Sequence, residues 1–160
     1  MFIKQFEIFH GIALTKLLRS EKPVSVRLIE TKPTEDWQVY AINDVDLFIK
    51  HRAISKPLAR KKGGHSWRFI FSPTEVSRIN KKARPVYVAL ICGQPYIQDE
   101  MEICFLYPEQ VEETISLDGN KSASVTVRSE PSKSLRVIVH RKEKLTVSRN
   151  AIEKWEILGS

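Results

Sequence analysis

Cysteine is scarce in this chain of 160 residues, which contains only Cys92 and Cys104. Small secreted domains held together by disulfides carry many more, so a disulfide scaffold is excluded. Long apolar runs are missing too: the longest, residues 86–92, falls far short of the ~20 residues that a membrane-spanning helix needs. The first 18 residues are interrupted by charged side chains and lack the apolar core of a secretory signal. We therefore expect a cytoplasmic protein with two free, buried thiols and no membrane association.

The sequence motifs of several enzyme classes are absent as well. The chain has no Gly-x-Ser-x-Gly, no phosphate loop that ends in Gly-Lys-Ser or Gly-Lys-Thr, and no Gly-x-Gly-x-x-Gly. A helical Glu-x-x-His occurs once, from Glu7 to His10, and a metal centre of that kind needs a second copy. We therefore interpret His10 as a packing residue. The remaining histidines are scattered without metal-ligand spacing: His51, His65 and His140.

What remains is the composition of one globular domain. Apolar residues make up 42% and charged residues 28% of the chain, and a domain of this length buries about 70% of the surface that its unfolded chain exposes. Apolar residues at helical spacing predict a helix over residues 4–19. Ser72, Pro73 and Glu75 predict the start of a second helix, which we expect to end near residue 83. Two shorter helices are predicted at residues 109–115 and 150–158.

Strands are predicted from alternating apolar and polar residues and from short, wholly apolar runs. They lie at residues 24–31, 37–42, 45–51, 66–71, 86–92, 101–106, 123–128, 135–140 and 145–148. Asn43 and Asp44 are predicted to form a hairpin turn. Helices and strands segregated in this way predict the α+β class. We expect one domain over residues 1–160, with an N-terminal helix, a central mixed or largely antiparallel β-sheet, two or three further helices and a β-rich C-terminal part.

Positive charge is concentrated in one short segment of a chain whose formal net charge is +7. Between residues 50 and 68 there are seven basic residues and no acidic residue. Removing these seven from the 26 basic residues leaves 19, equal to the 19 acidic residues, so the whole excess lies in this segment. A local excess of this kind predicts a surface that faces an anionic partner. The seven residues are Lys50, Arg52, Lys56, Arg60, Lys61, Lys62 and Arg68.

Nucleic acid is the partner that this basic segment predicts. Phosphate contacts position a nucleic acid without reading its bases, so the segment does not distinguish DNA from RNA. Gly63 and Gly64 make the loop of the segment flexible, and His65 and Trp67 add a stacking surface. The residues that we expect to bind nucleic acid are Lys56, Arg60, Lys61, Lys62 and Arg68.

Two other partners fit the sequence. The basic loop could dock on an acidic protein, in which case the chain would be a non-enzymatic interaction or regulatory module. The strand-rich C-terminal part could expose a sheet edge through which two copies form a homodimer. A second basic stretch, residues 136–149, is diluted by acidic residues, and it would join the first in one groove only if the two lie side by side.

The order of elements around the basic segment resembles the core of the PD-(D/E)XK nuclease-like superfamily. A helix carrying Glu7, three strands, a helix and a further strand occupy residues 4–92, and a β-rich extension covers residues 93–158. In this superfamily a helix glutamate, a strand aspartate and an acid-x-lysine surround one or two divalent metal ions. The resemblance implies a nuclease that uses Mg²⁺ or Mn²⁺, since clustered carboxylates are hard oxygen ligands and the bound metal polarises the phosphodiester.

Carried over to this sequence, the resemblance assigns four catalytic residues, of which the three acids would also bind the metal: Glu7, Asp44, Asp46 and Lys50. The acid-x-lysine is incomplete, because Phe48 stands two positions before the lysine. Two alternatives stay open. Another acid, Glu30 or Asp36, completes the site from a neighbouring strand, or Asp44 and Asp46 are ordinary residues of a hairpin turn.

Overall fold

The computed structural model describes residues 5–19, 25–31, 37–53, 55–58, 63–81, 83–93 and 101–154. None of the helices in these ranges has the length and apolar character needed to cross a membrane. The helices are α1 (Gln5–Leu18), α2 (Pro73–Ile79) and α3 (Pro108–Glu113), and a short 3₁₀ helix covers Ala151–Lys154. The strands are β1 (Val26–Thr31), β2 (Trp37–Ile42), β3 (Val45–Arg52), β4 (Lys56–Pro57), β5 (His65–Phe71), β6 (Val86–Cys92), β7 (Glu102–Leu106), β8 (Ala123–Ser129), β9 (Leu135–Val139) and β10 (Lys142–Val147).

The described strands form two five-stranded sheets. The first sheet has the order β1-β2-β3-β6-β7, and all of its neighbours are antiparallel except β3 and β6, which run parallel. The second sheet has the order β10-β9-β8-β5-β4 and is antiparallel throughout. Parallel strands need a long crossover connection, and here that connection contains β4, β5 and α2. The predicted α+β class is confirmed, with the strands divided between two sheets rather than gathered in one.

Strand β3 lies at the centre of the first sheet and is buried on both faces. Successive side chains of a strand point to opposite faces. The odd-numbered residues of β3 face α1, where the ring of His51 lies 5.0 Å from the ring of Phe9. The even-numbered residues face the second sheet, where the ring of Phe48 lies 6.1 Å from the ring of Phe71. This strand therefore separates two interior layers.

Aromatic packing joins the two sheets. Trp37 of β2 stacks on Phe48 of β3, with ring centroids 5.1 Å apart, and Phe48 in turn contacts Phe71 of β5. All three side chains are fully buried. Because buried aromatic pairs contribute about 0.5–1.5 kcal/mol beyond the area that they bury, this stack fixes the second sheet on the first.

Two local expectations can be compared with the structure. The hairpin turn at Asn43 is confirmed, since Ile42 and Val45 pair across it and Asn43 has a φ of 52°, a conformation that asparagine tolerates well. Helix α2 ends at Ile79 rather than near residue 83. The reason is a tertiary contact: the side chain of Asn80 donates a 3.1 Å hydrogen bond to a backbone oxygen after α3.

The sheet edges differ in character. Strand β10, at the C-terminal edge, exposes charged side chains, which discourage pairing with another chain. Strand β1 is the edge of the first sheet and exposes Leu28 and Ile29. The homodimer through the C-terminal part stays a prediction.

Cys92 of β6 and Cys104 of β7 are free and buried. Burial raises the pKa of Cys104 to about 12. Burial is also the main reason why the pKa of Cys92 is raised, with smaller contributions from the Cys104 and Glu102 charges. An unfolded thiol ionises with a pKa near 9.0. The stability that these protonated thiols contribute is therefore present below pH 9.0 and is lost as the pH rises toward 12.

We expect neither thiol of the native protein to react with iodoacetamide at neutral pH, and both to react in concentrated urea. Mass spectrometry counts the adducts. In urea melts above pH 9.0, the free energy of unfolding should decrease as the pH rises, and the Cys104→Ala variant should show a smaller decrease. Alkylation of the folded protein at neutral pH would contradict the burial of these side chains.

Candidate nucleic-acid interface

Lys50, the predicted catalytic lysine, lies in the interior between β3 and α2. Its Nζ donates a 2.7 Å hydrogen bond to Oε2 of Glu75, and the two side chains are only 5% and 9% exposed. The same Nζ lies 5.1 Å from the ring centre of Phe71, within the range of a cation–π contact. A charge that is buried away from water is strongly destabilising unless an opposite charge lies beside it. Lys50 is therefore engaged in a buried ion pair.

Asp46 lies on the same face of β3 as Lys50 and is also neutralised internally. Its Oδ2 lies 3.3 Å from Nη2 of Arg78, and its Oδ1 lies 3.2 Å from Nε of Arg84. The carboxylate thus lies between two guanidinium groups. Asp44 is exposed in the turn between β2 and β3, where it has the position of an ordinary hairpin residue.

Glu7 is on the other side of the first sheet. It lies exposed in the first turn of α1, and α1 packs on the face of β3 opposite to Asp46 and Lys50. The structure therefore does not bring the four predicted catalytic residues together. Across the described ranges, no three His, Cys, Asp or Glu side chains are grouped so that they could hold a metal ion. Asp36 and the side chain of Glu30, the alternative acids, lie outside the described part.

His10 belongs to a buried polar cluster beneath α1. Its Nδ1 lies 3.0 Å from Oε1 of Gln38, and its Nε2 lies 3.4 Å from Nδ1 of His51. The hydroxyl of Tyr40 donates to the same Gln38 oxygen, and burial raises the pKa of Tyr40. Buried polar groups that bond to each other in this way hold an element in place. The cluster fixes α1 on the sheet, which agrees with a packing role for His10.

The outer face of the second sheet forms a broad groove of about 920 Å³, here called the arginine groove. The inward side chains at the centres of β5 and β8 are apolar and buried, whereas the outward ones are mostly polar or charged, with Ile70 the exception on β5. Three arginines line the groove: Arg68 on β5, Arg128 on β8 and Arg141 in the β9–β10 turn. Serine and threonine hydroxyls lie between them, including those of Ser124 and Thr126. Arg68 of the first basic segment and Arg141 of the C-terminal basic stretch therefore line the same groove.

Arg128 and Arg136 occupy directly paired positions on β8 and β9, and like charges at such positions destabilise a sheet. Arg136 is compensated, because its guanidinium lies 3.7 Å from Glu143 and 3.9 Å from Glu130. The Nε of Arg128 is buried and has no hydrogen-bond partner among the described residues. A buried donor without an acceptor costs about 1–3 kcal/mol.

The charge of the arginine groove stays positive after its acids are taken into account. Asp118 is engaged by His140, whose Nε2 lies 2.7 Å from the Asp118 Oδ2. The other acid in the lining, Glu143, lies beside Arg136. Arg68 is held over the groove by a 2.8 Å hydrogen bond from its Nε to Ser124 Oγ, a neutral acceptor.

The turn at one end of the arginine groove has an unusual backbone. Val139 and Lys142 pair directly, so His140 and Arg141 form a two-residue hairpin loop, and their φ angles are 52° and 63°. Such loops favour Asn-Gly, because side chains other than glycine and asparagine are strained at positive φ. Backbone strain of this kind occurs mainly where a residue has a functional position. Here it presents His140 and Arg141 to the groove.

The predicted nucleic-acid-binding residues fall in three classes. Arg68 is exposed and lines the arginine groove, and Lys56 is exposed on β4. Trp67 was expected to offer a stacking surface, which the structure corrects: it is 2% exposed, and its indole nitrogen donates to the backbone oxygen of Gly93. The other three predicted residues lie outside the described ranges: Arg60, Lys61 and Lys62.

Arg128 was not singled out from the sequence. Its signal was its outward position in the alternating strand at residues 123–129, but alternation alone does not reveal which strands are neighbours. Its importance depends on the pairing with Arg136 and on the shared groove with Arg68.

Comparison of the chain with protein-family models, with curated proteins and with solved structures gives no match.

The buried ion pair gives a stability prediction. Lys50→Met leaves the Glu75 carboxylate buried without its partner, and we expect the free energy of unfolding to fall by about 3–5 kcal/mol. Lys50→Met combined with Glu75→Leu should lose less, because apolar side chains then replace the pair. Urea denaturation measures both. The matched control is Lys56→Met, an exposed lysine whose replacement should change stability by less than about 0.5 kcal/mol. A Lys50→Met variant as stable as the control would contradict the ion pair.

Proposed function

We propose that this protein binds nucleic acid through the arginine groove. The observation that carries this proposal is that Arg68, Arg128 and Arg141 line one surface, and none of them pairs with a carboxylate in the described part of the chain. Guanidinium groups with neighbouring hydroxyls are the usual protein contacts to phosphate oxygens. A nucleic-acid backbone supplies the repeating negative charge that such a surface fits.

The character of the arginine groove supports contacts to the backbone rather than to bases. Its lining, as far as the structure describes it, contains aliphatic side chains such as Ile70 and Ile138 and no aromatic ring other than the imidazole of His140. Proteins that hold single strands stack bases on aromatic side chains. We therefore propose binding of duplex nucleic acid without sequence preference.

We also propose that binding is not accompanied by metal-dependent cleavage at Glu7, Asp44, Asp46 and Lys50. Phe48, at the position of the missing acid, is fully buried between Trp37 and Phe71. A carboxylate there would be buried without a partner, which is strongly unfavourable. The resemblance to the nuclease superfamily then concerns the order of elements and not the chemistry.

Binding is tested by fluorescence anisotropy with a labelled duplex across a salt series. We expect the affinity to fall linearly in log salt. The Arg68→Ala/Arg128→Ala/Arg141→Ala variant should bind more weakly and lose up to about 2.7 from the slope, about 0.9 for each phosphate contact removed. Single-stranded DNA and duplex RNA, measured alongside, should show whether the surface prefers one geometry.

The matched control removes three positive charges from surfaces outside the arginine groove. Three exposed basic residues lie outside the groove: Arg19 directly after α1, Arg27 on β1 and Lys154 in the 3₁₀ helix. Their combined replacement by Ala should leave the salt slope close to that of the wild type. Equal effects of the two triple variants would mean that net charge alone attracts the duplex. Replacement of Arg60, Lys61 and Lys62 tests the remaining residues that the sequence predicts to bind nucleic acid. If no nucleic acid binds at low salt, the proposal is wrong, and an acidic protein partner becomes the better candidate.

The absence of cleavage is tested with supercoiled plasmid and Mg²⁺ or Mn²⁺. We expect the plasmid to remain supercoiled, because the sheet separates Glu7 from Asp46 and Lys50. Gel electrophoresis measures the outcome. Nicking by the wild type that disappears in Glu7→Ala, while nicking by Arg27→Ala persists, would restore the nuclease assignment.

A further inference from the structure

A second, smaller pocket adjoins the arginine groove and shares Arg68 with it. This pocket of about 300 Å³ lies where the end of β3 approaches β5 and α2. Its charged side chains are Lys50, Arg52, Arg68 and Glu75. The volume lies at the lower limit for a small-ligand site, enough for a phosphate group and part of its nucleoside.

Among the described residues, β5 has only a partial neighbour on the side of this pocket. In the described chain, β4 covers only the first two residues of β5. Beyond that point the edge of β5 faces the end of β3, where Lys50 and Arg52 lie on the same face of the strand. An uncovered strand edge presents backbone hydrogen-bonding groups, which add to the donors of the arginines.

The charge of the pocket points to a doubly charged ligand. Three cationic side chains and one carboxylate line it. The carboxylate of Glu75 is engaged by Lys50 at 2.7 Å, which leaves the charges of Arg52 and Arg68, both exposed. A phosphomonoester carries about −1.5 to −2 at neutral pH, whereas each internal phosphodiester of a nucleic acid carries a single charge.

We infer that this pocket binds a phosphomonoester, held by the guanidinium groups of Arg52 and Arg68. This inference deepens the proposed function: a duplex lying in the arginine groove would place the phosphate at one of its ends in the pocket, because Arg68 lines both. The buried Lys50–Glu75 ion pair then lines one side of the pocket, and α2 holds this pair in position. The protein would accordingly prefer phosphorylated ends over hydroxyl ends.

The test compares two duplexes that are identical except for a 5′-phosphate or a 5′-hydroxyl, each labelled away from that end. We expect the phosphorylated duplex to bind about tenfold more tightly, the size expected for charge-assisted contacts to one group. Arg52→Ala should abolish this ratio. Lys56→Ala, which removes an exposed charge from β4 outside the pocket lining, should keep the ratio. A duplex with a 3′-phosphate shows which end is held.

The pocket and the groove can be tested separately, because different arginines line them. Arg128→Ala/Arg141→Ala should weaken both duplexes and leave their ratio unchanged, because neither residue lines the smaller pocket. Equal binding of the two duplexes by the wild type, or a ratio that survives Arg52→Ala, would overturn the pocket assignment and leave the groove intact.

A measurement without nucleic acid separates the two sites completely. Inorganic phosphate and a nucleoside 5′-monophosphate, added at millimolar concentration, should raise the melting temperature of the wild type and not that of Arg52→Ala, since a ligand that binds only the folded state stabilises it. A nucleoside without phosphate should have no effect. One outcome is that no duplex binds, while the nucleotide still raises the melting temperature of the wild type and not that of Arg52→Ala. The pocket assignment is then supported, and the proposed function of the groove is wrong. Equal shifts in the two proteins would overturn it.

Discussion

Strand β3 has no face in contact with water, and most of the molecule is arranged around this constraint. One set of its side chains packs beneath α1, and the alternate set packs against the second sheet and α2. Charged side chains on such a strand must find partners inside the protein. Asp46 does so with Arg78 and Arg84, and Lys50 does so with Glu75. The charged side chains of β3 up to Lys50 are thus paired inside the protein, so the anion-binding surface proposed here has to come from other elements.

The order of helices and strands was readable from the sequence because it is encoded locally. The stripe in α1, the alternation in β2 and β8, and the cap at Ser72 each depend on neighbours within a few residues. The division of the strands into two sheets is not local. It depends on β5 turning away from β3 to pair with β8, more than fifty residues further along the chain. That pairing could not be predicted from the sequence, although every strand of the second sheet was predicted except the two-residue β4.

The candidate sites show the same limit. Asp46 and Lys50 are four residues apart on a strand, so the sequence already places them on one face. It does not say that α1, which carries Glu7, packs on the other face. Because of that packing, the four predicted catalytic residues do not come together. The charge excess of the basic segment is evident from the sequence. Lys50, however, is only 4% exposed and lies in the interior rather than on the surface. In the proposed function its place is taken by Arg141, from the stretch whose charge looked diluted, and by Arg128, which precedes that stretch.

The interior and the arginine groove differ in how their charged side chains are paired. In the interior, the carboxylates of Asp46 and Glu75 lie against cationic groups, so removing any one partner would leave the other exposed to a low-dielectric medium. The groove carries two locally unfavourable features. The Arg128 Nε has no acceptor among the described residues, which costs about 1–3 kcal/mol, and the turn residues His140 and Arg141 hold positive φ angles. In the function proposed above, a polyanion would bring opposite charge to the arginines of the groove, whereas the buried acids Asp46 and Glu75 already lie against cations inside the protein.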